Sequence, residues 1–364
     1  MKPKLLCILH RSPPSHGAAK VGDFISESQK LHEKFDCKFI TIKSSETIGD
    51  IGKINFKKFY FVLELYVKIF WMLIVFRPDK LYFTSSIRGV AFYRDLLVSS
   101  LWKIYKLFRT LDIYYHYHTK GINEFVSNSK TNLLLTNLFL KDVSLILLSP
   151  MLKNDFKQID TYKQILFLPN GVENNYTNNE FNSYIDKKQF DKINILYLAH
   201  MMKDKGYWDV LKLATKIKDK NIHYHFAGSW KNKDDEKEFF HFVRTYKLED
   251  KITYHGFVKN VQKDILLKKS HMLVYPSKND AFPLTILEAF SYGLPVVATN
   301  EGSIPFIIDN NSGIVVKNIN DLPQAFDKAL NKFINKQTAE YCRKRYLDNF
   351  SLEQFEEKLI KVLK

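Results

Sequence analysis

Residues 271–316, HMLVYPSKNDAFPLTILEAFSYGLPVVATNEGSIPFIIDNNSGIVV, restrict the fold of this chain more than any other stretch. They contain an apolar run suited to a buried strand, an acidic loop, a helix opened by Pro283 and closed by Gly293, and a second apolar run. Two such strands joined through a helix must lie parallel, with helices covering both faces of their sheet. Pro283 suits the first helical position, because its missing N–H would have had no partner there. The unit also sets two carboxylates, Asp280 and Glu288, beside one helix N-terminus, whose free N–H groups and dipole favour an anion.

The alternation recurs along the whole chain. Leu5–Leu9, Phe39–Ile42, Lys80–Phe83, Ile113–Tyr117, Leu145–Leu148 and Ile165–Leu168 read as strands, with Lys20–His32 and Tyr93–Phe108 among the helices between them. After the Asn170-Gly171 turn signal, Ile193–Leu198, His223–Ala227, Ile252–Tyr254, Met272–Tyr275, Val296–Thr299 and Gly313–Val316 repeat the pattern. The predicted class is α/β, with two doubly wound, Rossmann-like domains. The expected boundaries are 1–172 for the first domain and 173–190 for a linker rich in Asn, Asp, Lys and Tyr. The second domain takes 191–348, and a helix in 349–364, with Ser351 as its N-cap, is expected to return to the first domain. Ligands of such sheets bind at the carboxyl ends of the strands, so the expected site is a cleft where the two domains face each other.

Composition narrows the setting. Three scattered cysteines among 364 residues, with no CxxC, predict neither a disulfide framework nor a zinc site and suit a reducing cytoplasm. The opening LLCIL is too short for a signal-peptide core and reads as a strand. Phe59–Phe76, FYFVLELYVKIFWMLIVF, is interrupted by Glu64 and Lys68, so it reads as a long buried or interfacial helix rather than a span. The net charge of +16 reads equally as a lysine-rich solvated surface or as attraction to an anionic partner. Leu96–Arg109 interleaves aromatics with Lys103, Lys106 and Arg109, as a helix lying on an anionic membrane surface does. No zinc-finger, helix-turn-helix or RNP pattern supports nucleic acid.

The loops after the strands carry the candidate chemistry. In HRSPPSHGAAKVGD, Gly17 with two alanines leaves room for a phosphate or sugar near a helix start, although no GxGxxG is present and a plain strand–helix turn is the alternative. His116 and His118 alternate onto one face, with His118 nearest the loop; a purely structural role is equally compatible, and no third ligand of metal-binding spacing follows. Lys205 stands just ahead of a helix start near Gly206, where it and His200 would hold a diphosphate, the plain alternative being a solvated lysine. Asp280 could simply cap the next helix. Glu288 sits among Ile286, Leu287, Ala289 and Phe290 on a helix that reads as covered, and a carboxylate there needs hydrogen-bond donors such as ribose hydroxyls. Carboxylates beside a phosphate site point to a nucleotide-sugar.

These residues together resemble the retaining GT-B glycosyltransferases of polysaccharide biosynthesis, from Leu5 to about Phe355. The most specific part is Asp280, seven intervening residues, Glu288-Ala289, then Gly293-Leu294-Pro295-Val296-Val297. Pro13-Pro14 with Gly17, His118, Asn170-Gly171, Lys205-Gly206 and His255-Gly256-Phe257-Val258 are also similar. The resemblance implies metal-free transfer of a sugar from a UDP- or GDP-sugar to a surface polysaccharide or lipid-linked saccharide, by a cytoplasmic enzyme. It implies catalytic roles for His118, Asp280 and Lys205. Donor contacts are implied for Gly17, His200, Lys205, Phe257, Val258, Asp280, Phe282, Pro283, Leu284, Thr285 and Glu288, with no cofactor. Two positions depart from the usual pattern: Asp280 stands where Glu is common, and His200 where Arg is common. A sugar-nucleotide epimerase and a non-catalytic sugar-nucleotide-binding partner are the alternatives.

Overall fold

The computed structural model describes residues 1–13, 17–43, 56–189, 191–217 and 221–364. These form two compact units, Met1–Asn170 with Leu352–Lys364, and Gly171–Ser351. Pro14 of the early Pro-Pro loop lies outside the described residues.

The first unit is built on six parallel strands, β1 (Lys4–Leu9), β2 (Asp36–Thr41), β3 (Lys80–Ser85), β4 (Asp112–Tyr117), β5 (Ser144–Leu147) and β6 (Gln164–Phe167). They are ordered β2-β1-β3-β4-β5-β6. Side chains alternate across a strand, and each face has its own core. Leu5, Cys7, Leu9 and Tyr82 meet Val21 and Ile25 of the helix Gly17–Glu27 and Phe355 and Leu359 of the helix Leu352–Leu363. The last helix is therefore part of the first unit's core, and Lys30 bonds Glu353 and Glu357 on its outer side. On the opposite face Phe83 and Tyr115 pack on Trp102, whose Nε1 donates to Tyr115 OH at 2.9 Å.

The second unit holds β7 (Ile193–Leu198), β8 (Ile222–Ala227), β9 (Ile252–Tyr254), β10 (Met272–Tyr275), β11 (Val296–Thr299) and β12 (Gly313–Val316). All are parallel, in the order β12-β11-β10-β7-β8-β9. Strand order reverses between β7 and β10, the position at which doubly wound sheets open a crevice at their carboxyl edge.

Three expectations need correction. The stretch 173–190 is not a plain linker: Thr177 and Glu180 form a reciprocal capping box that starts the helix Asn178–Asp186. Phe181 and Ile185 of that helix pack on Ala339 in the second unit. Lys20–His32 is two helices, because the Ser28 hydroxyl accepts from Leu31 N and restarts the chain at Gln29. Of the two readings of Phe59–Phe76, full burial does not hold: the helix Phe56–Val75 buries Leu65, Ile69 and Leu73, while Phe59, Val67 and Trp71 face outward.

Candidate functional site

Two loops meet where the second sheet reverses. After β7, Ala199–Lys205 runs into Gly206, whose φ of +84° fits glycine. A Cβ on Gly206 would lie 2.2 Å from Pro276 O, so only glycine lets this loop press against the one after β10. Asp204 O accepts from Lys278 N at 2.8 Å and from Ser277 Oγ at 3.5 Å, which stitches the two loops together. Tyr197, at the end of β7, reaches His200 O and Lys205 O with its hydroxyl.

This geometry brings Lys205 and Asp280 together. Lys205 Nζ donates to Asp280 Oδ2 at 2.7 Å and to Asn279 O at 2.7 Å. The same carboxylate oxygen accepts from Tyr275 OH at 2.6 Å, and Asp280 N donates to Glu301 Oε1 at 3.3 Å. Burial, and then the Asp280 charge, push the Tyr275 phenol well above its ordinary pKa, so it stays a donor. Asp280 does not cap the following helix. That helix, Leu284–Ser291, has Pro283 at its N-cap rather than at its first turn position, and no side-chain cap. Its leading N–H groups thus remain uncapped by any side chain, a few residues after Asp280, the carboxylate that Lys205 bonds.

Glu288 lies farther along this helix and is mostly covered. Its Oε1 accepts from Lys263 Nζ at 2.9 Å, a donor that comes from the helix Asn260–Lys269. Phe282 and Pro283 are buried, Phe282 packing on Phe306 and Phe350, so Phe282 shapes the loop from beneath. Leu284 and Thr285 are half-buried. Phe257 is 59% exposed and Val258 half-buried, in the loop after β9 that turns at Gly256.

His200 is biased toward its neutral form. Its Nδ1 bonds Ser229 Oγ at 2.8 Å, and burial, then the Lys205 charge, hold its pKa below the usual histidine value. It can offer a neutral ring nitrogen, while Lys205 carries the charge.

Gly17 and His118 belong to the first unit. A Cβ on Gly17 would meet nothing within 4 Å, so its surroundings are open. His118 follows β4 with its ring 4.0 Å from that of His116, which is fully buried against Tyr82 OH. The loop beyond is fixed by Asp155, whose carboxylate accepts from Gly121, Ile122 and Asn123 N at 2.6, 3.1 and 3.0 Å.

Sequence reasoning missed Tyr275, Lys263, Glu301 and Asp155. Tyr275 had a signal, since strand alternation from Leu273 puts it on a definite face. Lys263 had none, because nothing distinguishes it from its neighbours Lys259, Lys268 and Lys269.

Residues 179–346, within the second unit, match the family model described as glycosyl transferases group 1. An uncharacterised 41.2 kDa protein of the Klebsiella pneumoniae cps region is 30% identical over 159 residues, 43% of this chain and 41% of that protein. An alpha-1,3/1,6-mannosyltransferase of Dictyostelium discoideum, ALG2, is 28% identical over 151 residues, 39% of this chain and 36% of its own. The chain thus matches about two fifths of the length of these curated relatives. Among solved structures, a sucrose-phosphate synthase from Thermosynechococcus elongatus superposes with a TM-score of 0.73 at 16% identity, covering 100% of this chain and 98% of that one. Anabaena HepE, solved with UDP and glucose, gives 0.68 at 13% identity, covering 99% of each. Residues 179–346 thus resemble the glycosyl transferases group 1 family, in a chain with the GT-B fold.

Proposed function

We propose that this protein transfers a sugar from a UDP- or GDP-sugar to a surface polysaccharide or its lipid-linked precursor, with retention of configuration and without a metal, on the cytoplasmic side of a membrane. The observation that carries the reading is the Lys205–Asp280 pair beside the uncapped helix N-terminus at the reversal between β7 and β10. Without donor, each group satisfies the other. With donor, the diphosphate takes Lys205 and the helix N–H groups, and sugar hydroxyls take Asp280. Glu288 then accepts from the ribose hydroxyls, and the exposed Phe257 with Val258 offers a surface to the base. By the same reading the first unit takes the acceptor, and its own candidate residues are His118 and Gly17.

In the transfer step the bond from C1 to the diphosphate oxygen breaks and the acceptor oxygen bonds C1. The acceptor proton passes to the departing diphosphate. Charge gathers on that diphosphate, and fixed positive groups aimed at it are the largest catalytic contribution such a site can make. Lys205 and the helix N-terminus would supply that positive charge without a divalent cation. Donor turnover assayed with a panel of UDP- and GDP-sugars, with and without a saccharide acceptor, tests the reading. Acceptor-dependent release of nucleotide diphosphate supports it. Epimerised donor without acceptor, or binding without turnover, would replace it.

A further inference from the structure

Outside this site the most unusual surface is the outer side of the helices that cover one face of the first sheet. Helix Phe56–Val75 carries apolar side chains on its outer as well as its buried side. At about 100° per residue, Phe59, Leu63, Val67, Phe70 and Ile74 fall on one side, with Trp71 next to them, and all face solvent. Phe59 is 74% exposed and Trp71 62% exposed, values at odds with a surface meant only for water. The helix Gly89–Lys106 continues the stripe through Val90, Tyr93, Leu97 and Ile104, spaced by three, four and seven residues. It ends in Leu107 and Phe108, each 79% exposed. Leu134 and Leu138, one turn apart on the helix Lys130–Leu140, extend the face further.

The three helices are neighbours. Phe56–Val75 packs along Gly89–Lys106, Tyr93 OH donates to Asn132 Oδ1 at 3.2 Å, and Lys103 Nζ donates to Leu138 O. Lys106 Nζ similarly reaches Asp142 O at 3.3 Å. Lys103 and Lys106 therefore place their charges at the edge of the apolar face, beside the exposed Arg109 and Lys141. Glu64, a carboxylate of the first helix, is neutralised by Lys68 at 2.5 Å and Lys43 at 3.3 Å. Among the described residues, no helix is long and apolar enough to cross a membrane.

We propose that this face docks on an anionic lipid bilayer, with the helix Phe56–Val75 lying in the interface and the basic end near Lys103 to Arg109 against the headgroups. Charge complementarity selects this occupant. A broad apolar face alone would fit a second copy of the chain equally well, whereas a cationic margin on a strongly basic protein would repel that copy and attract acidic lipid. Trp71, Tyr60 and Tyr93 are of the types that settle at the boundary between headgroups and acyl chains. The inference stands apart from the transfer reading, since it uses no residue of the candidate site.

The test is co-sedimentation of the full chain with vesicles of phosphatidylglycerol and phosphatidylcholine, against vesicles of phosphatidylcholine alone. Binding to the acidic vesicles is expected, weakened at least about tenfold by Phe70→Glu with Trp71→Glu and less by Lys106→Glu with Arg109→Glu. Salt at about 0.5 M should mimic the second pair, because it screens charges without touching apolar contact. Both variants should melt like the wild type, since the altered side chains already face water. Brominated lipid should quench wild-type fluorescence more than that of Trp71→Phe. Absence of binding to either vesicle overturns the proposal. So does a wild-type dimer, seen by light scattering, that the Phe70→Glu, Trp71→Glu variant dissolves while vesicle binding is nil.

Discussion

Lys205 Nζ stands 2.7 Å from Asp280 Oδ2, although 75 residues separate the two in the chain. The contact exists because β7 and β10 lie side by side where the sheet order reverses. Both side chains are partly shielded from water, so the pair is preorganised and still open to exchange with a ligand. Asp280→Asn keeps the shape and removes the charge. Donor affinity should then fall only modestly, while turnover should fall by about tenfold or more, because the sugar loses its charged acceptor. Titration calorimetry with the nucleotide-sugar beside steady-state rates separates the two.

Glu288 and Lys263 form the second ion pair of the site, at 2.9 Å. Alanine at either position removes the same pair and should lower stability by a similar amount, about 1 kcal/mol. Only Glu288→Ala should also weaken donor binding, since only Glu288 is proposed to hold the ribose. Equal losses of donor affinity in both variants would reduce Glu288 to a packing role.

Gly206 and Gly17 should answer a Cβ differently. Gly206→Ala places a methyl against Pro276 O in a left-handed conformation, and thermal melting should show a loss of at least about 1–2 kcal/mol. Gly17→Ala meets nothing within 4 Å and should melt unchanged. A weakened affinity for nucleotide diphosphate in Gly17→Ala alone would mark its loop as a ligand contact.

A histidine cluster away from the candidate site sets an acid limit. His225 Nδ1 lies 3.0 Å from His255 Nε2, and His225 Nε2 lies 3.1 Å from Asn194 Oδ1. Burial, then the charges of His223, His255, Lys269 and Lys192, bring the His225 pKa down to about 3. Burial, then the Lys188 charge, brings that of His271 to about 4. The unfolded chain protonates these rings near pH 6.5, and the folded chain does not. Stability is therefore complete above that pH and declines as pH falls from about 6.5 toward 3. Urea unfolding at a series of pH values should show this slope, flattened in His225→Asn. A pH-independent midpoint would contradict it.

Much of the fold was legible because buried parallel strands leave uninterrupted apolar runs. Ile193–Leu198, Ile252–Tyr254, Met272–Tyr275, Val296–Thr299 and Gly313–Val316 form at the residues read from sequence. Strand order was not legible, since pairing β7 with β10 depends on crossovers that span some eighty residues and leave no local pattern. The Asn178–Asp186 helix was missed because its low hydrophobicity hid a capping box that was present in Thr177 and Glu180. At the site, helix-start logic found Lys205, and the spacing from Asp280 to Glu288 found the acids. What each binds in the absence of ligand needed three dimensions: Tyr275 and Lys205 for one, Lys263 for the other. The same holds for His200, whose bias toward the neutral form follows from burial and from Lys205 rather than from its place in the motif.

The most direct test of the central claim is the rate of sugar transfer by Lys205→Ala, measured with a donor that stabilises the wild-type protein against heat. The Lys205 ammonium is proposed to hold the departing diphosphate, so kcat/KM should fall at least about tenfold, the scale of one lost charge-assisted contact, while the melting temperature stays within a few degrees of wild type. Transfer at the wild-type rate in a folded Lys205→Ala protein would contradict the account.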